Sequence, residues 1–216
     1  MSIRFSNRGD AGRQLASALT HLRQRNPIVL GLVRGGLVLA AEIARELRCE
    51  MDVLVARKVG APHHPEFGIG AVAPGGISVH NQQALHRLHL TRAEFEMLAQ
   101  AEFREIERRL NAYRDAGQPL NVKGRTAIIV DDGLATGVTA KAACRYVRSL
   151  EPSHLVLAVP VCTRESQADL EQEVDEFVCL AQPEPFYSVG QWYDDFTQVE
   201  DQEVLDLLRL HKGYLA

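Results

Sequence analysis

The chain has 216 residues, of which 46% are apolar and 24% charged, enough to bury one sizeable α/β core and too apolar for a disordered or collagen-like chain. Its net charge of −4 argues against nucleic-acid binding through bulk positive charge and leaves only a local basic patch open.

Leu15, Leu19 and Leu22 recur at helical spacing and predict a first helix from about Ala11 to Arg25, ended by Asn26-Pro27. Ile28 to Val33 is an apolar run of strand length, broken by Arg34-Gly35-Gly36. A helix carrying Leu37, Ala40, Ile43, Ala44 and Leu47 on one face follows, then a second strand, Met51 to Ala56. Strand, helix and strand in this order make a parallel βαβ unit. Arg57 to Gly76 is rich in glycine and proline and reads as a long lid loop, with a hairpin turning at Pro74-Gly75-Gly76. Thr91-Arg92-Ala93-Glu94 is a capping-box pattern opening a helix to about Asp115, with Phe95, Leu98, Ala99, Ile106, Leu110 and Tyr113 as its packing stripe. Glu105 and Arg109 are an i,i+4 pair on its solvated face. Further strands are expected at Thr126 to Val130, Leu155 to Val159 and Phe177 to Ala181. Helices are expected around Ala142 to Leu150, from Glu165 to Val174, and around Val204 to Leu208.

This pattern predicts a doubly wound, mostly parallel five-stranded α/β sheet with helices on both faces, in a single domain over 1–216. Its core spans about 27–182, its lid about 57–76, and a tail about 183–216. Ligands of such sheets bind beyond the carboxyl ends of the strands, where Arg34, Arg57 and Asp131 stand. The longest apolar stretch, Leu155 to Cys162, is far too short to span a bilayer. Met1-Ser2-Ile3-Arg4-Phe5 lacks the plan of a signal peptide. Cys49, Cys144, Cys162 and Cys179 form no C-x-x-C site and read as buried, reduced thiols of a cytoplasmic protein.

Val130-Asp131-Asp132-Gly133-Leu134-Ala135-Thr136-Gly137-Val138-Thr139 is the most informative segment. A short loop with two glycines and two threonines enters a helix, so backbone N–H groups and the helix N-terminus can cradle a phosphate monoester. Thr136 and Thr139 add hydroxyl donors. The loop is neither a P-loop nor a G-x-G-x-x-G fingerprint. Two carboxylates beside a phosphate cradle make sense if the ligand carries hydroxyls nearby, as ribose 5-phosphate does. Asp131 and Asp132 would then accept from the 2- and 3-hydroxyls and favour Mg²⁺ nearby. Asp-Asp alone would read as a helix cap, but the full string does not.

That string resembles the phosphoribosyl pyrophosphate (PRPP) signature of type I phosphoribosyltransferases, and the element order over about 27–182 fits their core. The resemblance implies transfer of ribose 5-phosphate from PRPP to a nitrogenous base, with Mg²⁺ held largely through substrate and water near Asp131 and Asp132. Nucleotide salvage, a cytoplasmic homodimer and a small hood built from the chain ends go with it. Gly133, Leu134, Ala135, Thr136, Gly137, Val138 and Thr139 would bind the 5-phosphate, and Arg34, Gly35 and Gly36 the pyrophosphate. A cis or strained peptide is expected at Arg34–Gly35. Arg57 and Lys58 resemble a cation pair that serves the leaving diphosphate and join Asp131 and Asp132 as catalytic residues. In the lid, His63 and His64 have no third ligand spaced nearby and read as surface histidines. Ala135 weakens an oxopurine acceptor, because hypoxanthine-guanine enzymes place an aspartate there. Phe186, Tyr187 and Trp192 either stack on a base or pack the tail or a dimer face. The alternative to an enzyme is a non-catalytic sensor of PRPP or nucleotides on the same fold.

Overall fold

The computed structural model describes residues 4–114 and 119–215. In chain order its elements are α1 (Arg8–Ala18), β1 (Pro27–Leu32), α2 (Gly35–Leu47), β2 (Glu50–Leu54), β3 (Arg57–Ala61), β4 (His64–Ala73), β5 (Ile77–His80), α3 (Gln82–Arg87), α4 (Arg92–Tyr113), β6 (Thr126–Val130), α5 (Val138–Ser149), β7 (His154–Val161), α6 (Arg164–Leu170), β8 (Glu176–Ala181) and α7 (Asp201–Leu215). Five strands form a wholly parallel sheet in the order β2-β1-β6-β7-β8. Every residue of β1 and β6 is buried, as a sheet covered on both faces requires. Their side chains alternate between two core layers. Val29, Ile128 and Val130 pack with Leu15, Leu37 and Ile43 of α1 and α2. Leu30, Ala127 and Ile129 pack with Ala142, Ala143 and Val147 of α5 on the other face.

The order of strands reverses between β1 and β6. From β1 the chain moves outward to β2, and from β6 it moves the opposite way to β7 and β8. A crevice therefore opens beyond the carboxyl ends of these two strands, flanked by the turns that follow them.

The segment expected as a lid loop is instead a second sheet, antiparallel, in the order β3-β4-β5. The hairpin turns at Pro74-Gly75-Gly76 as predicted, but Ile69, Ala71, Val72 and Ala73 of β4 are fully buried. The second half of β4 is buried between α4 on one side and α5 on the other, while the tip over 62–67 is exposed. Glycine-rich composition hid the strands, and α3, capped by Asn81, went unpredicted. The first helix starts earlier than expected because Asn7 caps it, accepting a hydrogen bond from the Asp10 amide. Helix α4 has the predicted capping box between Thr91 and Glu94 and ends at Tyr113; Asp115 lies outside the described residues. Glu105 pairs with Arg109 at 2.8 Å, as expected.

The four cysteines are free, but Cys179 is only partly buried. Cys162, just past the end of β7, and Cys179, within β8, sit with their sulfurs 3.1 Å apart.

The chain ends interlock into a hood. The Phe5 amide donates to the Trp192 carbonyl and the Asp194 amide to the Phe5 carbonyl, both at 2.8 Å, and the Phe5 and Tyr193 rings lie 5.5 Å apart. No described helix is long and apolar enough to cross a membrane.

Phe95 of α4 is fully buried and its ring covers Gly70 of β4, pinning the antiparallel sheet to the domain. Phe95→Ala should lower the unfolding free energy by about 3–5 kcal/mol, read by urea denaturation. A loss under about 1 kcal/mol would show that this sheet is not part of the cooperative core.

Candidate active site

The turn after β1 runs Val33-Arg34-Gly35-Gly36. Its cis peptide bond joins Val33 to Arg34, one residue before the expected Arg34–Gly35 position. The glycines serve a different need: close approach. A Cβ on Gly35 would overlap the Asp132 carboxylate, and one on Gly36 would overlap the Val130 carbonyl oxygen. Only without side chains here can the turns after β1 and β6 touch.

The turn after β6 is held from behind. The Leu134 amide donates to the Val161 carbonyl at 2.9 Å, and the Leu134 carbonyl accepts from the Thr163 amide at 3.1 Å. Leu134 itself is buried. Its backbone amide and carbonyl, expected to serve a phosphate, are thus both engaged, by Val161 of β7 and by Thr163, the N-cap of α6. Ala135 and Thr136 stand exposed at the lip. Gly137 caps α5 with a left-handed φ of 66° and offers no side chain. The first backbone bond of α5 runs from the Lys141 amide to the Gly137 carbonyl, at 2.8 Å. Helix geometry leaves the N–H groups of Val138, Thr139 and Ala140 without an intrahelical acceptor.

The pattern of capping sets α2 and α5 apart from α1, α3, α4 and α6. Asn7, Asn81, Thr91 and Thr163 cap α1, α3, α4 and α6 with side-chain hydrogen bonds. Among the described residues, no side chain caps α2 or α5. Both uncapped N-termini face the crevice, where backbone N–H groups and helix dipoles favour anions.

Asp131 and Asp132 stand between them. The Asp132 amide donates to Asp131 Oδ1 at 2.9 Å. Burial, reinforced by the neighbouring Asp132 charge, pushes the Asp131 carboxyl well above the ordinary carboxylate range. Burial also raises Asp132, and Arg8 opposes it. Arg8 Nε donates to Asp132 Oδ2 at 2.8 Å. The buried Tyr193 hydroxyl donates to the Asp132 carbonyl at 2.6 Å.

The predicted cations are dispersed. Arg34 Nη1 lies 3.4 Å from Glu200 Oε2 and 3.6 Å from Asp201 Oδ1, at the start of α7. Arg57 and Lys58 are successive residues of a strand, so they point to opposite faces. Arg57 pairs with Glu102 of α4 at 2.8 Å. Lys58 donates to the Glu66 carbonyl at 2.9 Å and lines a cleft of about 1070 Å³ shared with Ala135, Thr136 and Val138. Lys58 thus shares a cavity with the turn that leads into α5, and Arg57 does not line it.

Of the three hood aromatics, Phe186 and Trp192 pack against each other and the core, with ring centroids 6.0 Å apart, while Tyr187 is 82% exposed. Sequence reasoning missed Arg8 and Tyr193. Neither carries a local signal, since each reaches Asp132 only through the closure of the hood.

A family model described as a phosphoribosyl transferase domain matches residues 6–191. Rv0571c of Mycobacterium tuberculosis, named as a phosphoribosyl transferase, is 43% identical over 211 residues, covering 97% of this chain and 48% of that protein. The chain thus spans about half the length of this curated relative. TT1426 from Thermus thermophilus is 41% identical, with a TM-score of 0.79, covering 95% of this chain and 98% of that one. A hypothetical protein from Neisseria gonorrhoeae with bound ppGpp shares the fold, at 11% identity and a TM-score of 0.52 over 97% of this chain and 98% of that one. The chain belongs to the phosphoribosyl transferase family.

Proposed function

We propose that the chain binds PRPP and transfers its ribose 5-phosphate to a nucleobase-like acceptor, releasing pyrophosphate, as a step of nucleotide salvage. The observation that carries this reading is the convergence of two uncapped helix N-termini on either side of a half-buried carboxylate pair. Two anion sites flanking two hydroxyl acceptors match a sugar phosphorylated at both ends.

In this reading the amides from Thr136 to Ala140 and the hydroxyls of Thr136 and Thr139 grip the 5-phosphate. Asp131 and Asp132 accept from the ribose hydroxyls. They also set negative potential beside the anomeric carbon, where positive charge develops as the glycosidic bond breaks. The start of α2, with Gly35, Gly36 and Arg34, receives the departing diphosphate, and Arg34 would exchange Glu200 and Asp201 for it. Lys58 and the exposed tip over 62–67 close over the reacting sugar and keep water away. Tyr187, the exposed aromatic of the hood, is left to meet the acceptor.

Among the described residues no group of three or more His, Cys, Asp or Glu side chains is placed to hold a metal ion. The Asp131 and Asp132 oxygens suit Mg²⁺ held mainly by diphosphate and water, which would supply charge neutralisation of the leaving group.

The primary test is Mg²⁺-dependent pyrophosphate release from PRPP across a panel of bases. Asp131→Asn with Asp132→Asn should reduce kcat/KM by about 10²–10³-fold or more with the fold intact. PRPP binding without release on any base would support the sensor instead, and unchanged turnover would remove the carboxylates from the reaction.

A second expectation concerns stability. Because folding raises the Asp131 pKa, the folded state holds its proton more tightly than the unfolded chain. This group therefore costs stability as pH rises above the unfolded value of about 3.9. Asp131→Asn should raise the Tm of the ligand-free protein at neutral pH, with the gain shrinking toward pH 4. A variant less stable than wild type across that range would show that the carboxylate is not strained by burial.

A further inference from the structure

Arg8 joins the hood to the carboxylate of Asp132. It is the first residue of α1, yet its side chain is only 11% exposed. Three contacts fix the guanidinium. Nε donates to Asp132 Oδ2 at 2.8 Å, Nη1 donates to the Thr197 carbonyl at 2.7 Å, and the Phe196 ring lies beneath, 3.8 Å from the guanidinium carbon to the ring centroid. Among the described residues no other cation pairs with Asp131 or Asp132. The missing Cβ of Gly35 leaves room for this pair, since any side chain there would meet both Asp132 Oδ2 and Arg8 Nε.

We propose that Arg8 is a positioning residue for the sugar: clamped by Thr197 and Phe196, it engages one oxygen of Asp132 so that the other is presented to a ribose hydroxyl. This rests on the phosphoribosyl reading above and deepens it. A planar fork is needed for the task, because one nitrogen must reach the carboxylate while another holds the tail. A lysine keeps the charge and loses the fork. Arg8 therefore ties sugar recognition to hood closure: residues 196–197, which also follow Tyr193, must be docked before Asp132 is fixed. Arg8 touches the carboxylate and not the phosphate cradle, so its influence falls on ligands with hydroxyls.

The experiment compares two probes on the full chain, ribose 5-phosphate and inorganic phosphate, by following the amide resonances of Gly137 and Thr139 during titration. Arg8→Lys should weaken ribose 5-phosphate about tenfold, the size of one charge-assisted hydrogen bond, and leave inorganic phosphate within about twofold. Phe196→Leu, which keeps Arg8 but removes the ring beneath it, should shift affinity in the same direction by a smaller factor. Equal losses on both probes, or none on either, would overturn the role of Arg8 alone. Wild-type protein that binds neither ribose 5-phosphate nor PRPP would overturn the phosphoribosyl reading, and this assignment with it.

Discussion

The close approach of the turns after β1 and β6 is the constraint on which the site depends. Gly35 and Gly36 lie so near Val130 and Asp132 that no side chain fits between them. The contact brings the N-termini of α2 and α5 to one crevice, both without side-chain caps, at the point where the strand order reverses. By contrast, α1, α3, α4 and α6 are capped by Asn or Thr side chains. At the crevice, the first N–H groups of both helices have no side-chain acceptor, and two half-buried carboxylates stand between them.

Much of this was legible in the sequence because the parallel core writes itself in continuous apolar runs. Ile28 to Leu32, Thr126 to Val130 and Leu155 to Val159 are buried on both faces, so their strand character does not depend on any partner's register. The turn at Asp131 was equally plain, since its glycines, threonines and acids all fall within the single segment 131–139. The antiparallel sheet was not. Gly60, Gly68 and Gly70 in β3 and β4 suppress the apolar alternation that marks a strand, and their burial arises from packing between α4 and α5.

Side-chain direction was the second source of difference. Arg57 and Lys58 look like a pair on paper, but strand pleating sends one to Glu102 and the other toward the turn before α5. Leu134 belongs to the motif by position, yet its backbone is committed to Val161 and Thr163. Arg8 and Tyr193 reach Asp132 from opposite ends of the chain. No spacing rule connects them, because the hood that unites them is a tertiary contact between Phe5 and the tail.

A crystal structure of the chain with PRPP and Mg²⁺ would decide what the crevice holds. The 5-phosphate is expected within hydrogen-bond distance of the amides between Thr136 and Ala140, the ribose hydroxyls on Asp131 and Asp132, and the diphosphate against Gly35 and Gly36. A sugar phosphate bound elsewhere, with both carboxylates untouched and the starts of α2 and α5 facing only water, would contradict this arrangement.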